Sequence, residues 1–227
     1  MVLKELSTHK VLKNAKNSSL RRLAKGSRIC SVKQGEHIFY DKDDVKNVYF
    51  IIKGNITMYK LNTFGEKKVV FVLGRGSILN ESITSDYTFS ISAEAFSPSK
   101  IIVIPKVLLL QVMEEDWDLT LAIFHEMEHK VRRLYRQLKN TTGSLRMDKR
   151  LASKLWKLSK DYGIDQQDGV LINLNVSNTY LADLLGTKRE TISRQMRILL
   201  EEGLILQDER GIIVPSRDQL REYFKKS

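Results

Sequence analysis

The residues with the clearest chemical potential lie in the stretch TKRETISRQMR at 187–197. Arginine can hydrogen-bond guanine O6 and N7 together, glutamate can accept from cytosine N4, and serine can bond bases or phosphates. The stretch carries four such side chains: Arg189, Glu190, Ser193 and Arg194. On a helix their spacing turns them toward one groove of a DNA duplex. The competing interpretation is a surface helix whose charges only face water.

A second candidate for chemistry is HEMEH at 125–129, which has the letters of the H-E-x-x-H zinc-protease motif. On a helix, His125 and His129 would share a face and could bind one zinc ion, with Glu126 as general base. No third-ligand signature follows, and so short a motif recurs by chance. We therefore expect no catalytic site and no metal site, and leave open incidental metal binding by the two histidines.

Two short helices around a glycine would hold the DNA-facing side chains. The first is predicted from about Asn178 to Leu185, and Gly186 supplies the left-handed residue that ends it. Thr187 is predicted to begin the second, with Glu190 completing a T-x-x-E capping box, so that capping and base contact compete for one carboxylate. The buried stripe of the second helix is predicted to be Ile192, Met196, Leu199 and Leu200. This pattern predicts a helix-turn-helix whose second helix enters the major groove.

The surrounding residues predict a winged helix-turn-helix domain over residues 147–227. An amphipathic helix begins near Met147, and GVLINL at 169–174 predicts a strand. ILQDERGIIVP at 205–215 predicts a hairpin, the wing, after which Ser216 caps a last helix. NTTGS at 140–144 predicts the linker that precedes this domain.

The N-terminal half predicts an antiparallel β-roll over residues 1–115. One or two short basic helices are expected up to about residue 28. Short β-rich runs with glycine and Asp/Asn turns between them then follow, which favours a small roll or barrel. The runs are SVKQGEHIFY, VYFIIKGNITMYKL, KKVVFVLGRGSIL, FSISAEAF and SKIIVIP. The fold class is therefore α+β.

A long helix is predicted within residues 116–146, the dimerisation helix and hinge. Trp117, Phe124, Val131 and Leu138 recur every seven residues, and Met127 and Leu134 occupy complementary positions. Such a heptad seam is typical of a two-helix coiled coil, so we expect a homodimer interface formed by Phe124, Met127, Val131, Leu134 and Leu138. The alternative is a helix packed on its own roll.

The net charge indicates the kind of partner, and the start of the sequence and its cysteine content indicate the compartment. The 227-residue chain has a formal net charge of +11, which favours a polyanion, either nucleic acid or an anionic membrane surface. No apolar run approaches the ~18 residues of a membrane span. The start MVLKELSTHK has no apolar signal region, and Cys30 is the only cysteine. We expect a cytoplasmic protein that binds double-stranded DNA and no membrane.

The order of roll, long helix, linker and winged helix-turn-helix resembles the Crp–Fnr family of bacterial transcription regulators. In the roll the resemblance depends on QGEHIFYDKDDVKNVYFIIKGNITMY and GSILNE, and in the last domain on LADLLGTKRETISR. It covers nearly the whole chain. It implies a transcription regulator, not an enzyme, with RNA polymerase as a further partner.

Residue roles follow from the same resemblance. Arg189, Glu190 and Arg194 match the family's base-reading R-E-x-x-x-R, and Ser193 matches a serine used by its oxygen-responsive branch. The phosphate contacts would be Lys188, Thr191 and Ser177. Family dimers read inverted repeats on successive major-groove faces, roughly 34 Å apart. The expected half-sites contain GA, of the TGTGA or TTGAT kind.

The effector is the open question. Members that bind cyclic nucleotides use a Gly-Glu pair and, about ten residues later, an Arg-Ser pair. In this chain Asn80-Glu81 occupies the position of the first pair and Phe89-Ser90 that of the second. The cyclic phosphate would lack its arginine, and Leu134-Tyr135 replace the adenine contacts, so we do not expect cyclic AMP. Asn80 and Glu81 remain candidate effector contacts. The effector is unidentified; a regulator that needs no ligand, or a sensor module with other partners, is the alternative.

Other cofactors are not expected either. An iron–sulfur cluster needs four cysteines, and Cys30 is alone. Haem would need a histidine in the roll, where His37 stands at a predicted strand start and suits a surface position. Cys30 fits an inert core position better than a redox switch, although a sensing role stays open.

Overall fold

The computed structural model describes residues 1–141 and 146–225, with the side chains of residues 137–141 left outside the description. The chain forms two compact units. The first comprises Met1–Leu61 and Val69–Thr142, and the second Asn62–Lys68 and Gly143–Ser227. The predicted linker at 140–144 lies mostly outside the described residues.

Two antiparallel sheets form the body of the first unit, which confirms the predicted roll. The strands are β1 (Arg28–Val32), β2 (His37–Phe39), β3 (Asn47–Lys53), β4 (Ile56–Leu61), β5 (Lys67–Leu73), β6 (Ser92–Ala95) and β7 (Ser99–Pro105). One sheet has the order β1-β7-β3 and the other β2-β6-β4-β5. Strand β7 is antiparallel to β1 and β3, and β6 is antiparallel to β2 and β4.

Aromatic side chains fill part of the space inside the roll. The Phe39 and Phe89 rings are stacked, with centroids 3.7 Å apart, and Tyr49 lies 5.5 Å from Phe39. The tight turn between β3 and β4 depends on Gly54, which has φ 83°. A Cβ added there would lie 2.7 Å from the carbonyl oxygen of Pro98, so only glycine fits.

The helices of the first unit form a second hydrophobic core against the β1-β7-β3 sheet. They are α1 (Val2–Thr8), a 3-10 turn (Leu12–Asn14), α2 (Asn17–Gly26), α3 (Lys106–Glu115) and α4 (Trp117–Thr141). Asp116 begins α4, because its carboxylate accepts the backbone N–H of Leu119 at 3.2 Å. Leu119 and Ile123 then bury one face of α4 in this core.

The second unit is a winged helix-turn-helix, as predicted. Its elements are α5 (Met147–Tyr162), β8 (Gly163–Gln166), β9 (Gly169–Ile172), α6 (Asn178–Leu185), α7 (Arg189–Glu201), β10 (Leu206–Asp208), β11 (Gly211–Val214) and α8 (Arg217–Lys225). The sheet order is β10-β11-β9-β8. Ser216 caps α8 as expected, since its Oγ accepts the N–H of Gln219 at 3.2 Å. Strand β8 was not predicted, because GIDQ has one apolar side chain and gives no alternating pattern.

None of the helices within residues 1–141 and 146–225 combines the length and the apolar character that crossing a bilayer requires.

Candidate DNA interface

The turn between α6 and α7 follows from its capping residues. Ser177 begins α6, and its Oγ accepts the backbone N–H of Tyr180 at 3.1 Å. Gly186 ends the helix in the left-handed conformation, with φ 62° and ψ 51°, as predicted. The N–H of Thr187 then bonds back to the carbonyl of Ala182 at 3.1 Å. The chain therefore reverses within three residues.

The predicted capping box at Thr187 is wrong. Because the N–H of Thr187 still bonds to α6, the cap of α7 moves one residue on to Lys188, which is extended at φ −82° and ψ 149°. Lys188 makes no side-chain capping bond with the described part of the chain. Glu190 lies in the first turn of α7, where a carboxylate is favoured by the helix dipole. Its carboxylate is thus free of a capping role.

The inner face of α7 holds the helix in place. Ile192, Met196 and Leu199 are buried, as predicted. Leu200 does not belong to this stripe, since it is 37% exposed. It lies one residue past Leu199, about 100° around the helix, and so turns away from the core.

The outer face of α7 presents the predicted base-reading set. All four side chains are exposed: Arg189, Glu190, Ser193 and Arg194. The Oγ of Ser193 accepts a hydrogen bond at 3.1 Å from Nδ2 of Asn178, on the first turn of α6. Arg197, one turn further on, is ion-paired with Glu201 at 2.8 Å. The candidate DNA-facing patch therefore consists of these four exposed side chains, one of which is bonded to α6.

The three predicted phosphate contacts differ in exposure and in the hydrogen bonds that they already make. Lys188 is exposed, and Thr191 is half-buried. The oxygen of Ser177 already accepts a bond in capping α6, so its hydroxyl hydrogen is what remains for a phosphate. All three lie in or next to the first turns of α6 and α7, where backbone N–H groups favour anions.

Two contacts in this region were not predicted. Asn178 bonds Ser193, as described above, and Arg150 of α5 donates from Nη2 to the carbonyl of Leu185 at 2.9 Å. The latter satisfies a carbonyl at the end of α6. Arg150 lies in the helix predicted to begin near Met147, but nothing in the sequence pointed from it to the end of a helix 35 residues away.

In the roll, the candidate effector residues make bonds within the protein. Asn80 is fully buried: its Oδ1 accepts the N–H of Tyr49 at 2.9 Å, and its Nδ2 donates to the carbonyl of Asn47 at 2.9 Å. Glu81 accepts the backbone N–H of Ser90 at 2.6 Å. The Gly-Glu and Arg-Ser positions of the family are thus joined here by a carboxylate-to-backbone hydrogen bond.

The HEMEH motif at 125–129 places its side chains in different surroundings. His125 and His129 are exposed on α4, whereas Glu126 is buried and ion-paired with Lys10 at 3.2 Å. Glu126 therefore does not share the exposed surface of the two histidines. Within the described ranges, three or more His, Cys, Asp or Glu side chains do not cluster anywhere as metal ligands would.

His37 in β2 is half-buried, with Nε2 2.9 Å from the hydroxyl of Tyr59 and 3.7 Å from the carboxylate of Glu94. This differs from the surface position that the sequence suggested, because the ring lies against the neighbouring strands β4 and β6.

The predicted dimer face of α4 is largely exposed. Phe124 is 60% exposed, Val131 45% and Leu134 41%. Met127 is half-buried and packs against the core of its own unit, so it adds less to this face. The side chain of Leu138 lies outside the described residues. One side of α4 packs on its own unit, and another side is an exposed apolar stripe, on which the homodimer interface stays a prediction.

Comparison with known proteins agrees with this architecture. The family model for a cyclic nucleotide-binding domain matches residues 29–116, and that for a Crp-like helix-turn-helix domain matches residues 149–223. The chain is 28% identical over 190 residues to the anaerobic regulatory protein of Bacillus subtilis (strain 168), covering 82% of this chain and 79% of that protein.

Two further relatives extend the comparison. The global nitrogen regulator of Synechocystis sp. is 27% identical over 192 residues, with 82% of this chain and 84% of that protein covered. The structure of a CooA mutant from Carboxydothermus hydrogenoformans has a TM-score of 0.76 at 17% identity, covering 96% of this chain and 97% of the other. At that identity the structural likeness shows the fold.

A β-roll followed by a winged helix-turn-helix with an exposed arginine-rich second helix defines a transcription regulator, not an enzyme. The chain belongs to the Crp–Fnr family of transcription regulators, with a helix-turn-helix DNA-binding domain.

Proposed function

We propose that this regulator binds a palindromic DNA site as a homodimer, with one α7 in the major groove of each half-site. The observation that carries the proposal is the outer face of α7, where Arg189, Glu190 and Arg194 are exposed and make no ion pair with other described residues. Ser193 completes the set. These side chains suit guanine and cytosine contacts, and Lys188, Thr191 and Ser177 suit the adjacent phosphates.

The homodimer is supported by the exposed stripe of α4. Successive turns of α4 carry exposed apolar side chains: Trp117, Leu121, Phe124, Val131, Leu134 and Tyr135. Exposed apolar stripes of this length mark interaction surfaces. A second copy supplies an identical stripe, and a symmetric pair of helices buries both.

We propose that the effector is not cyclic AMP bound through the Gly-Glu and Arg-Ser contacts of the cyclic-nucleotide members. Phe89 stands where the phosphate-binding arginine would be, and its ring is buried against Phe39. An apolar ring cannot replace a charge-assisted bond to the cyclic phosphate. The regulator would bias the orientation of its two recognition helices through another roll-domain ligand, and act with RNA polymerase. A member that needs no ligand is the alternative.

Selection of bound DNA from a random pool by the full-length chain tests this function. We expect an inverted repeat with GA-containing half-sites whose centres are about one helical turn, roughly 34 Å, apart. Affinity for the selected site should fall steeply with salt while its preference over unrelated DNA persists. Binding without sequence preference, or recovery of no DNA, would show that α7 does not read bases and would favour a sensor with other partners.

A further inference from the structure

A basic cleft of about 300 Å³ lies beside α4 in the first unit. It is bordered by Lys10, which follows α1, by Ser77, which follows β5, and by successive turns of α4. Five lining side chains are lysine or arginine: Lys10, Lys130, Arg132, Arg133 and Arg136. We call these residues, with Ser77, the basic cleft.

The positive charge of the basic cleft is not balanced by the described residues around it. Glu126 is the single carboxylate among the described lining residues, and it is paired with Lys10 at 3.2 Å. Lys130, Arg132 and Arg136 have no described carboxylate within ion-pairing distance, and Arg133 lies over the ring of Phe71 at 5.0 Å. Cations held this close together repel one another unless an anion lies between them.

Lys130 is the most constrained of these cations. Its side chain is buried, and Nζ donates to the carbonyl of Asn80 at 2.7 Å and to that of Leu79 at 3.4 Å. Burial lowers the pKa of Lys130 to about 8. Carbonyl oxygens satisfy two of its hydrogens but supply no negative charge. The carboxylates of Glu126 and Glu81 favour its charged form, but neither is within ion-pairing distance, and together they do not offset the burial.

We propose that the basic cleft binds a compact polyanion, a small molecule with two or more phosphoryl or carboxylate charges. Guanidinium groups pair with either oxyanion through two parallel hydrogen bonds, and lysine adds point charge. The volume is at the lower limit of ligand pockets. The described lining residues include no Phe, Tyr or Trp, so they offer no surface on which a nucleobase could stack.

Such a ligand would connect the roll to α4. Ser77 belongs to the segment after β5, whereas Arg132 and Arg136 belong to the helix that carries the exposed stripe. Lys130 already bonds that segment through Asn80, one of the candidate effector residues. Anion binding in the basic cleft does not depend on the proposed function. The inference that this anion is the effector does rest on the proposed function. Anion binding there would favour one position of α4 relative to the roll.

Calorimetric titration of the full-length chain with pyrophosphate, without DNA, tests the site. We expect one pyrophosphate per chain. Replacing the two exposed arginines, as Arg132→Gln with Arg136→Gln, should weaken binding at least tenfold. The matched control is Arg21→Gln with Lys25→Gln, which removes the same charge from exposed positions of α2 outside the cleft and should leave binding unchanged. No binding, or equal weakening in both, would overturn the proposal.

Three further measurements complete the design. Titration with citrate in place of pyrophosphate distinguishes carboxylate recognition from phosphoryl recognition. The anion that binds the wild type and binds the cleft variant more weakly has the chemistry of the ligand. Thermal unfolding of both double variants shows that each folds. DNA binding by the same variants is measured separately, on the selected palindrome without added anion. The cleft variant should lose anion binding and still bind the palindrome. Absence of anion binding by the wild type would count against the cleft alone, and absence of specific DNA binding would count against the proposed function alone.

Discussion

Asn178 donates a hydrogen bond from Nδ2 to Oγ of Ser193 at 3.1 Å, which ties the first turn of α6 to the outer face of α7. A serine oxygen that accepts this bond keeps its own hydrogen for donation. Ser193 is therefore oriented before DNA arrives, with its hydroxyl hydrogen available to a base or phosphate acceptor. The two helices of the motif are connected at the surface predicted to face DNA as well as through their buried side chains.

The first prediction concerns this bond. Asn178→Ala should weaken binding to the selected palindrome by about 1 kcal/mol, because a single exposed hydrogen bond between neutral groups is lost. Ser193→Ala should remove the same bond, so the double variant should lose less than the sum of the two. Fluorescence anisotropy measures all three affinities. Strict additivity would mean that Asn178 does not act through Ser193.

The second prediction concerns Gly186. A Cβ added there meets nothing within 4 Å, so Gly186→Ala costs only the left-handed conformation at φ 62°. That cost is about 1–2 kcal/mol. Urea unfolding should show this destabilisation, and Gly186→Asn, which tolerates the conformation better, should show less. Equal stability of the wild type and the alanine variant would contradict the strained turn.

The third prediction concerns pH. Burial, assisted by Arg75 and Lys10, lowers the pKa of His9 to about 4. The unfolded chain takes up this proton near pH 6.5, so the stability contributed by neutral His9 is complete above pH 6.5 and is lost as pH falls toward 4. The free energy of unfolding should fall by about 3 kcal/mol between pH 6.5 and pH 4 from this group.

His9→Gln is the matched variant, since glutamine does not titrate and its amide oxygen can still accept the N–H of Val11, which His9 Nδ1 accepts at 3.3 Å. The free energy of unfolding of wild type minus variant should decrease between pH 7 and pH 4, because all other titrating groups are shared. A constant difference would show that His9 takes up its proton at the same pH in the native and unfolded states, which would contradict the lowered pKa.

The fourth prediction concerns the stripe of α4. Phe124→Glu combined with Val131→Glu should convert the dimer to a monomer, because like charges would meet across a symmetric interface. Leu3→Glu, a change at a side chain that is 41% exposed on α1, is the control and should leave the dimer intact. Sedimentation equilibrium distinguishes the two states. Dimers in all three proteins would place the interface elsewhere.

The sequence predicted most of the secondary structure but less of the side-chain pairing. Periodicity located α6 and α7, since Leu181 and Leu185 are four residues apart in α6, and Ile192 and Met196 are four residues apart in α7. The turn residues DERG located the wing. It misplaced the cap of α7, because the hydrogen bond from Thr187 back to Ala182 belongs to the turn and leaves no mark in a letter pattern. Burial of Glu126 and Lys130 was equally hidden, since charged residues on a long helix read as solvated until a neighbouring segment covers them.

The central claim is that α7 reads bases. Its most direct test is a double-mutant cycle that combines Arg194→Ala with substitution of each guanine in the selected half-site. We predict that one guanine shows a coupling of about 1–3 kcal/mol with Arg194, as expected for a bidentate contact. Lys188→Ala should instead weaken binding to all these sites equally, with a smaller salt dependence. Additive losses for Arg194 at every guanine would contradict base reading by this side chain.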